Sequence, residues 1–179
     1  MNSELLFLPL DIEIDQIDFP HQEQVTYQQR YWHTEQVVKV NEDYSNYRWL
    51  LDQLSIERVT SFTHKVQQAA VGPHVDVFDY GKVTPDIQNL IDNEPSGFHV
   101  VLKGQADSLE IFTGKRWVNP VLPAVPGIYL MNLTSCRHCV KHDHLRETLY
   151  IKGFVNQAKH QALISKNLKK YAHLAVFRE

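Results

Sequence analysis

The sequence predicts a mainly β protein whose strands form a double-stranded β-helix, or jelly roll, with a few peripheral helices packed outside. Ten or so short runs are rich in β-branched and aromatic residues, and many alternate with the period of two that is typical of strands. These runs are LLFLPLDIEI, VTYQQRYW, QVVKV, ERVTSFTHKV, HVDVFDY, FHVVLKG, SLEIFTG, GIYLMNL, RHCVKH, ETLYIKGF and HLAVFRE. Strands and helices do not alternate regularly and the chain contains no GxGxxG, which argues against a Rossmann fold.

Three segments have the apolar spacing of helices. In NEDYSNYRWLLDQLS, Asp43 or Ser45 is available as an N-cap. TPDIQNLIDNE begins with Thr84 before Pro85, a capping residue followed by a favourable first helical residue. NQAKHQALISKNLKKYA carries apolar residues between basic positions. The first helix is predicted to bury one stripe of residues: Tyr47, Leu50, Leu51 and Leu54.

Bulk composition limits the function classes. The chain has 179 residues, 43% of them hydrophobic and 22% charged, with a net charge of −3, so neither nucleic acid nor a membrane is expected as a partner. No apolar stretch approaches the roughly 20 residues that a membrane span needs. The first residues are typical of a strand rather than of a signal peptide. Two cysteines three positions apart do not form a disulfide framework, so a cytoplasmic protein is expected.

The simplest organisation is one domain over residues 1–179. Residues 1–65 would supply strands and a helix that brace the barrel, and residues 70–155 would form the metal-binding core. Residues 156–179 would add a C-terminal helix and strand.

The chemistry of the chain is expected around a His-x-Asp pair, His74 and Asp76 in GPHVDVF, and a later histidine, His138 in LTSCRHCV. Residues two apart on a strand project from the same face, so His74 and Asp76 could reach one ion. The third ligand must then come from another strand. Two imidazoles and one carboxylate form the facial triad that binds non-haem Fe(II) and leaves the opposite coordination positions open.

The stretch PGIYLMNLTSCRHCVKHDHLRETLYIKGF resembles the C-terminal core of 2-oxoglutarate/Fe(II)-dependent dioxygenases, most closely the aspartyl/asparaginyl β-hydroxylase-like family. In that family a Pro-Gly turn precedes a strand, a loop leads to the distal histidine ligand, and an arginine on the next strand binds 2-oxoglutarate. Here the turn is Pro126-Gly127, the strand is 128–132, the histidine is His138 and the arginine is Arg146. The resemblance covers roughly residues 70–155.

The resemblance implies Fe(II) on His74, Asp76 and His138, with 2-oxoglutarate bound by Arg146 and His99. A guanidinium group is planar and suits bidentate contact with a carboxylate. His99 lies in GFHVVLKG, and where the family commonly has an arginine two residues before this histidine, the present chain has a glycine. With O2, such an enzyme would hydroxylate an aspartyl or asparaginyl side chain in a peptide or protein, or an amino-acid-like small molecule.

Two other classes remain open. A cupin-like metalloprotein would use the same barrel and triad without 2-oxoglutarate. A non-enzymatic domain would instead bind zinc through Cys136, Cys139 and the histidines His142 and His144. Against zinc, all these ligands fall within nine residues, and on a strand Cys136 and His138 would share one face while Cys139 points to the other. Basic residues of the last helix are expected to form a solvated face: Lys159, Lys166, Lys169 and Lys170.

Overall fold

A computed structural model describes residues 4–14, 25–30, 33–39, 47–67, 70–75, 96–103, 108–124, 127–132, 136–141 and 146–179. These residues form twelve strands and two helices. The strands are β1 Leu5–Leu10, β2 Val25–Arg30, β3 His33–Lys39, β4 Ile56–Gln67, β5 Val71–His74, β6 Ser96–Lys103, β7 Leu109–Phe112, β8 Trp117–Val118, β9 Gly127–Met131, β10 His138–Val140, β11 Arg146–Val155 and β12 Val176–Phe177. The helices are α1 Arg48–Leu51 and α2 Gln157–Tyr171.

The strands form two antiparallel sheets. The large sheet has the order β12-β1-β9-β6-β11-β4-β3-β2, and the small sheet has the order β5-β10-β7-β8. Between β4 and β11 the pairing is nested: β4 pairs with β11, β5 with β10, β6 with β9 and β7 with β8. The first of these eight strands pairs with the last, the second with the seventh and so on, and successive pairs alternate between the two sheets. This arrangement is a jelly roll. The predicted fold class is therefore confirmed by the strand order.

The large sheet has a hydrophobic cluster on each face. On its outer face, Leu149 and Ile151 of β11 belong to a buried cluster against which Leu163 and Leu168 of α2 pack. On its inner face, Tyr150 belongs to a second cluster that includes residues of the small sheet or its approach: Ile111 and Cys136. Alternate residues of β11 thus face opposite sides, as the period-two pattern predicts. The second cluster fills the space between the two sheets.

Helix α2 confirms the third predicted helix. The side chain of Asn156 caps it by accepting a hydrogen bond from the backbone N–H of Lys159 (3.1 Å). Near its other end Asn167 is buried, and its Oδ1 accepts a hydrogen bond from the backbone N–H of Asp11 (2.6 Å). Asp11 follows β1 directly and also pairs with Lys170 (2.6 Å). The contacts with α2 therefore hold the chain where β1 ends.

The first predicted helix is shorter than expected. It covers only Arg48–Leu51, with Tyr47 at its N-cap, because the chain turns after Leu51 to enter β4. Its apolar stripe is nevertheless correct, since Tyr47, Leu50 and Leu54 are buried in the outer cluster and Leu51 packs against it. The proposed caps, at 43 and 45, and the second predicted helix, at 84–94, lie outside the described residues.

Within the described ranges, no helix combines the length and hydrophobicity that crossing a bilayer requires. The division of the chain into a single domain with three parts stays a prediction.

Candidate metal centre

The structure brings His74 and His138 together. His74 is the last residue of β5 and His138 is the first residue of β10, and the two are direct partners in the antiparallel pairing of these strands. Directly opposite residues of an antiparallel pair lie on the same face. Their ring centroids are 4.3 Å apart, with an angle of 52° between the ring planes. Two imidazoles from distant parts of the sequence are therefore side by side.

Each imidazole is oriented by a backbone carbonyl two residues earlier. The Nδ1 of His74 lies 2.8 Å from the carbonyl oxygen of Gly72, and the Nδ1 of His138 lies 2.9 Å from that of Cys136. A carbonyl oxygen only accepts hydrogen bonds, so Nδ1 is the protonated nitrogen in both rings. In a neutral imidazole the lone pair is then on Nε2. Histidines that bind metals through Nε2 typically have this tautomer and donate a hydrogen bond from Nδ1 in the same way.

Asp76, the predicted carboxylate ligand, lies outside the described residues. Strand β5 ends at His74, and Val75 follows it as an exposed residue outside the strand. The shared face expected for His74 and Asp76 is therefore not tested by the described residues. The role of Asp76 as the third ligand stays a prediction.

The surroundings of the pair differ on its two sides. Strand β10 lies between β5 and β7, so His138 has His74 as its neighbour on one side and Ile111 on the other. His138 and Ile111 are buried, whereas His74, on the edge strand of the small sheet, is partly exposed. The pair thus combines one imidazole buried in the core with one that is accessible from outside.

The two residues predicted to bind 2-oxoglutarate, His99 and Arg146, lie on the opposite sheet. On β6, His99 is the cross-strand partner of both Tyr129 and Tyr150. Both tyrosines belong to the cluster between the sheets. Arg146 opens β11 and pairs with Gln67 of β4. For His99 and Arg146 the structure describes backbone positions alone, so their predicted roles remain untested.

The two cysteines have different environments. Cys136 belongs to the cluster between the sheets, whereas the Sγ of Cys139 lies 3.8 Å from Oε2 of Glu110. Burial, together with the negative charge of Glu110, raises the pKa of the Cys139 thiol. The histidines of the alternative zinc site, at 142 and 144, lie outside the described residues. Among the side chains that the structure describes, no group of three or more His, Cys, Asp or Glu residues is arranged to hold a metal ion.

Two charged residues on strands of the jelly roll, Glu110 and Lys152, were not singled out from the sequence. Glu110 is buried beside Cys139 and pairs with Lys141. Lys152 of β11 is partly buried, and its Nζ lies 4.7 Å from the centroid of the Tyr150 ring. The alternation of β11 was the available signal for Lys152, since it is two residues after Tyr150. It became informative only when the structure showed which face of β11 looks inward.

No known protein family matches this sequence, and no curated protein is similar enough to count as a relative. Among solved structures, the chain is similar to a prolyl-4-hydroxylase from Pseudomonas putida. The two chains are 12% identical, the matched region covers 75% of this chain and 79% of the other, and the TM-score is 0.49.

The donor set fits a first-row divalent metal. Imidazole nitrogens suit iron and zinc alike, and two of them on one face of a strand pair can bind one ion. His74 at the end of β5 and His138 at the start of β10 could therefore offer two donors to one metal ion, and the predicted carboxylate of Asp76 would add the third.

Proposed function

We propose that this protein is a 2-oxoglutarate- and Fe(II)-dependent dioxygenase. The observation that carries the proposal is the cross-strand pair His74 and His138, whose Nδ1 atoms both donate to backbone carbonyls. The pair lies in a jelly roll, and its sequence context resembles this class of enzyme. With Asp76 as the third ligand, the donor set would be the two-histidine, one-carboxylate triad.

The residues of the chain have separate tasks in this proposal. His74, Asp76 and His138 hold Fe(II) on one side, and Arg146 binds the distal carboxylate of 2-oxoglutarate through its planar guanidinium group. His99, on the facing sheet between the two tyrosines, helps to orient the same molecule. Bound Fe(II) and 2-oxoglutarate would supply the oxidation of a substrate C–H bond by O2, with release of succinate and CO2. The two backbone carbonyls keep both imidazoles in position.

The substrate proposed from the family resemblance is an aspartyl or asparaginyl residue in a peptide or protein, or an amino-acid-like small molecule. Its support is the sequence of residues 126–154 alone. A fold hosts many reactions, so this part of the proposal is an analogy at the level of the family.

An anaerobic titration tests the proposal. Fe(II)-loaded protein is titrated with 2-oxoglutarate, and we expect a weak charge-transfer band in the visible range when the co-substrate chelates the metal. His138→Ala and His74→Ala should each abolish the band. His173→Ala is the matched control, because His173 is an exposed histidine on the C-terminal segment. Absence of a band in the parent protein would contradict the proposed function.

A cupin-like metalloprotein without 2-oxoglutarate chemistry is the second candidate, since the histidine pair alone requires only a metal. Arg146→Ala separates the two. In a dioxygenase this variant should lose 2-oxoglutarate binding and keep its metal affinity. If the variant binds 2-oxoglutarate as the parent does, the assignment of Arg146 is wrong.

A further inference from the structure

The backbone of Cys136 orients His138 and is itself held by the end of β9. The carbonyl oxygen of Cys136 accepts the hydrogen bond from Nδ1 of His138 (2.9 Å). The backbone N–H of Cys136 donates to the carbonyl oxygen of Asn132 (2.7 Å), the residue directly after β9. The Cys136 side chain is fully buried in the cluster between the sheets. The orientation of the His138 imidazole therefore depends on the position of Asn132.

Two contacts hold Asn132 beside β1. Its backbone N–H donates to the carbonyl oxygen of Leu6 (3.2 Å), which continues the pairing of β9 with β1 by one residue. Its side-chain Nδ2 donates to Oε1 of Glu4 (3.3 Å), the residue directly before β1. A hydrogen bond to an ionised carboxylate is stronger than one between neutral groups. The Glu4 side chain thus holds the residue at which the connection 132–136 begins.

The Glu4 carboxylate is in turn oriented by Arg178. The Nε of Arg178 lies 2.6 Å from Oε2 of Glu4, and the backbone N–H of Arg178 donates to the carbonyl oxygen of the same residue (2.9 Å). The Arg178 and Glu4 side chains are 37% and 36% exposed, so water and salt screen their attraction less than at an open surface. With Oε2 held by the guanidinium group, Oε1 stays directed at the Asn132 amide.

These contacts connect one edge of the large sheet to the small sheet. Arg178 follows β12, Glu4 precedes β1 and Asn132 follows β9, and these three strands are neighbours in the large sheet. His138 begins β10 of the small sheet. The path therefore crosses between the sheets through the connection 132–136, and it ends at the imidazole.

The other imidazole of the pair is oriented within its own strand. The Nδ1 of His74 lies against the carbonyl oxygen of Gly72, and both residues belong to β5. A change at Asn132 should therefore alter the orientation of His138 and leave that of His74 as it is. This difference separates a positioning role from a general loss of stability.

We propose that Asn132 and Glu4 are positioning residues of the metal centre. Glu4 holds Asn132, and Asn132 holds the Cys136 backbone that orients His138. This inference rests on the proposed function only because it takes His138 as a metal ligand. Groups that orient a ligand typically change metal affinity about tenfold to a hundredfold when they are removed. Asn132 and Glu4 act through one further contact, so a smaller effect is expected.

Co(II) binding to the full chain, measured by competition with a chelator, is the first test. Asn132→Ala and Glu4→Ala should each raise the Co(II) dissociation constant by about threefold to tenfold. The double variant should be no weaker than Asn132→Ala alone, because Glu4 acts through Asn132. Glu4→Gln keeps an acceptor for the Asn132 amide and should recover part of the loss. Asn167→Ala is the matched control, because it removes a buried hydrogen bond on α2, away from this path.

NMR of the metal-free protein is the second test, because it reports on each ring separately. At about pH 8, where imidazoles are neutral, the nitrogen chemical shifts of a ring show which nitrogen carries the proton. The parent should have the proton on Nδ1 in both rings. In Asn132→Ala the shifts of His138 should move toward a mixture of tautomers, whereas those of His74 should not change. Asn167→Ala should have the shifts of the parent, and His74→Ala assigns the signals.

The inference is overturned if Asn132→Ala binds Co(II) as tightly as the parent, if its His138 shifts are those of the parent, or if Asn167→Ala shows the same loss. Additive losses in the double variant would overturn the path from Glu4 through Asn132. A parent that binds no Co(II) contradicts the proposed function, and the nitrogen shifts then still test the positioning of His138. If Asn132→Ala does not fold, Asn132→Ser replaces it.

Discussion

Glu110 and Lys141 form an ion pair across β7 and the end of β10, with 2.6 Å between Oε1 and Nζ, although their exposure differs greatly. The side chain of Glu110 is 8% exposed and that of Lys141 is 56% exposed. A carboxylate that is taken out of water requires a partner. The hydrogen bond to Glu110 raises the pKa of Lys141, so the ammonium form is retained throughout the neutral range.

Removing the ammonium group should therefore destabilise the protein more than its exposure suggests. Lys141→Met leaves Glu110 buried beside the Cys139 thiol without its cation. We expect the melting temperature to fall by a few degrees, against less than about one degree for Lys115→Met, at an exposed lysine of the β7–β8 turn. Equal melting temperatures for both variants would contradict this assignment.

His160 should make stability depend on pH. It is largely buried on α2, its Nδ1 lies 2.9 Å from Oγ of Ser55, and burial lowers its pKa below the ordinary value. Below about pH 6.5 the unfolded chain takes up a proton more readily than the folded one, so stability falls as the pH drops from there toward the lowered folded pKa. Urea unfolding at pH 7.5 and pH 5 should show a smaller loss for His160→Gln than for the parent. His173→Gln should behave as the parent does.

Gly153 should tolerate no side chain. It follows Lys152 at an irregularity in the β11–β4 pairing, and a Cβ there would collide with the carbonyl oxygen of Arg58 and approach Cγ2 of Ile56 to 2.5 Å. Gly153→Ala should reduce the free energy of unfolding by roughly 1–3 kcal/mol. Gly72→Ala is the matched control, because nothing lies within 4 Å of its added methyl group, and its effect should stay within about 0.5 kcal/mol. Urea denaturation measures both.

Asn167 should be important for holding α2 against β1. It is 1% exposed, its Oδ1 accepts from the backbone N–H of Asp11, and its Nδ2 donates to the carbonyl of Leu163 (2.8 Å). Asn167→Ala removes the acceptor and should cost about 1–3 kcal/mol of unfolding free energy. Asn119→Ala also loses a side-chain hydrogen bond, but an exposed one, to Leu109. A cost equal to that of Asn119→Ala would contradict the proposed role of Asn167.

The strands inside the jelly roll and α2 could be predicted because their patterns follow from burial on one or two faces. The positions at which strands end could not be predicted from such patterns. The first predicted strand ran to residue 14, but β1 ends at Leu10, since the N–H of Asp11 bonds to Asn167, far away in the sequence. Strand β5 begins at Val71 and includes Gly72-Pro73, which is typical of a turn; an edge strand tolerates proline.

In the candidate site, too, some features could be predicted from the sequence and others could not. The sequence predicts which histidines meet, because a histidine pair on two strands suits a metal, and the register of β5 and β10 brings His74 and His138 together. Strand β8, only two residues long, is too short to give a pattern. The position of Lys152 could not be predicted, because it depends on which face of β11 points toward the space between the two sheets. That face is set by packing between the sheets, a property of the assembled barrel rather than of any local segment.

Both imidazoles take their orientation from peptide oxygens rather than from side chains. A point mutation replaces a side chain but keeps the carbonyl of its residue. Substitutions at positions 72 and 136 therefore keep the acceptor of each imidazole in place, while at Cys136 core packing still limits the size of the side chain. Insertions or deletions just before either histidine, which displace the peptide group itself, are the genetic changes that should be poorly tolerated.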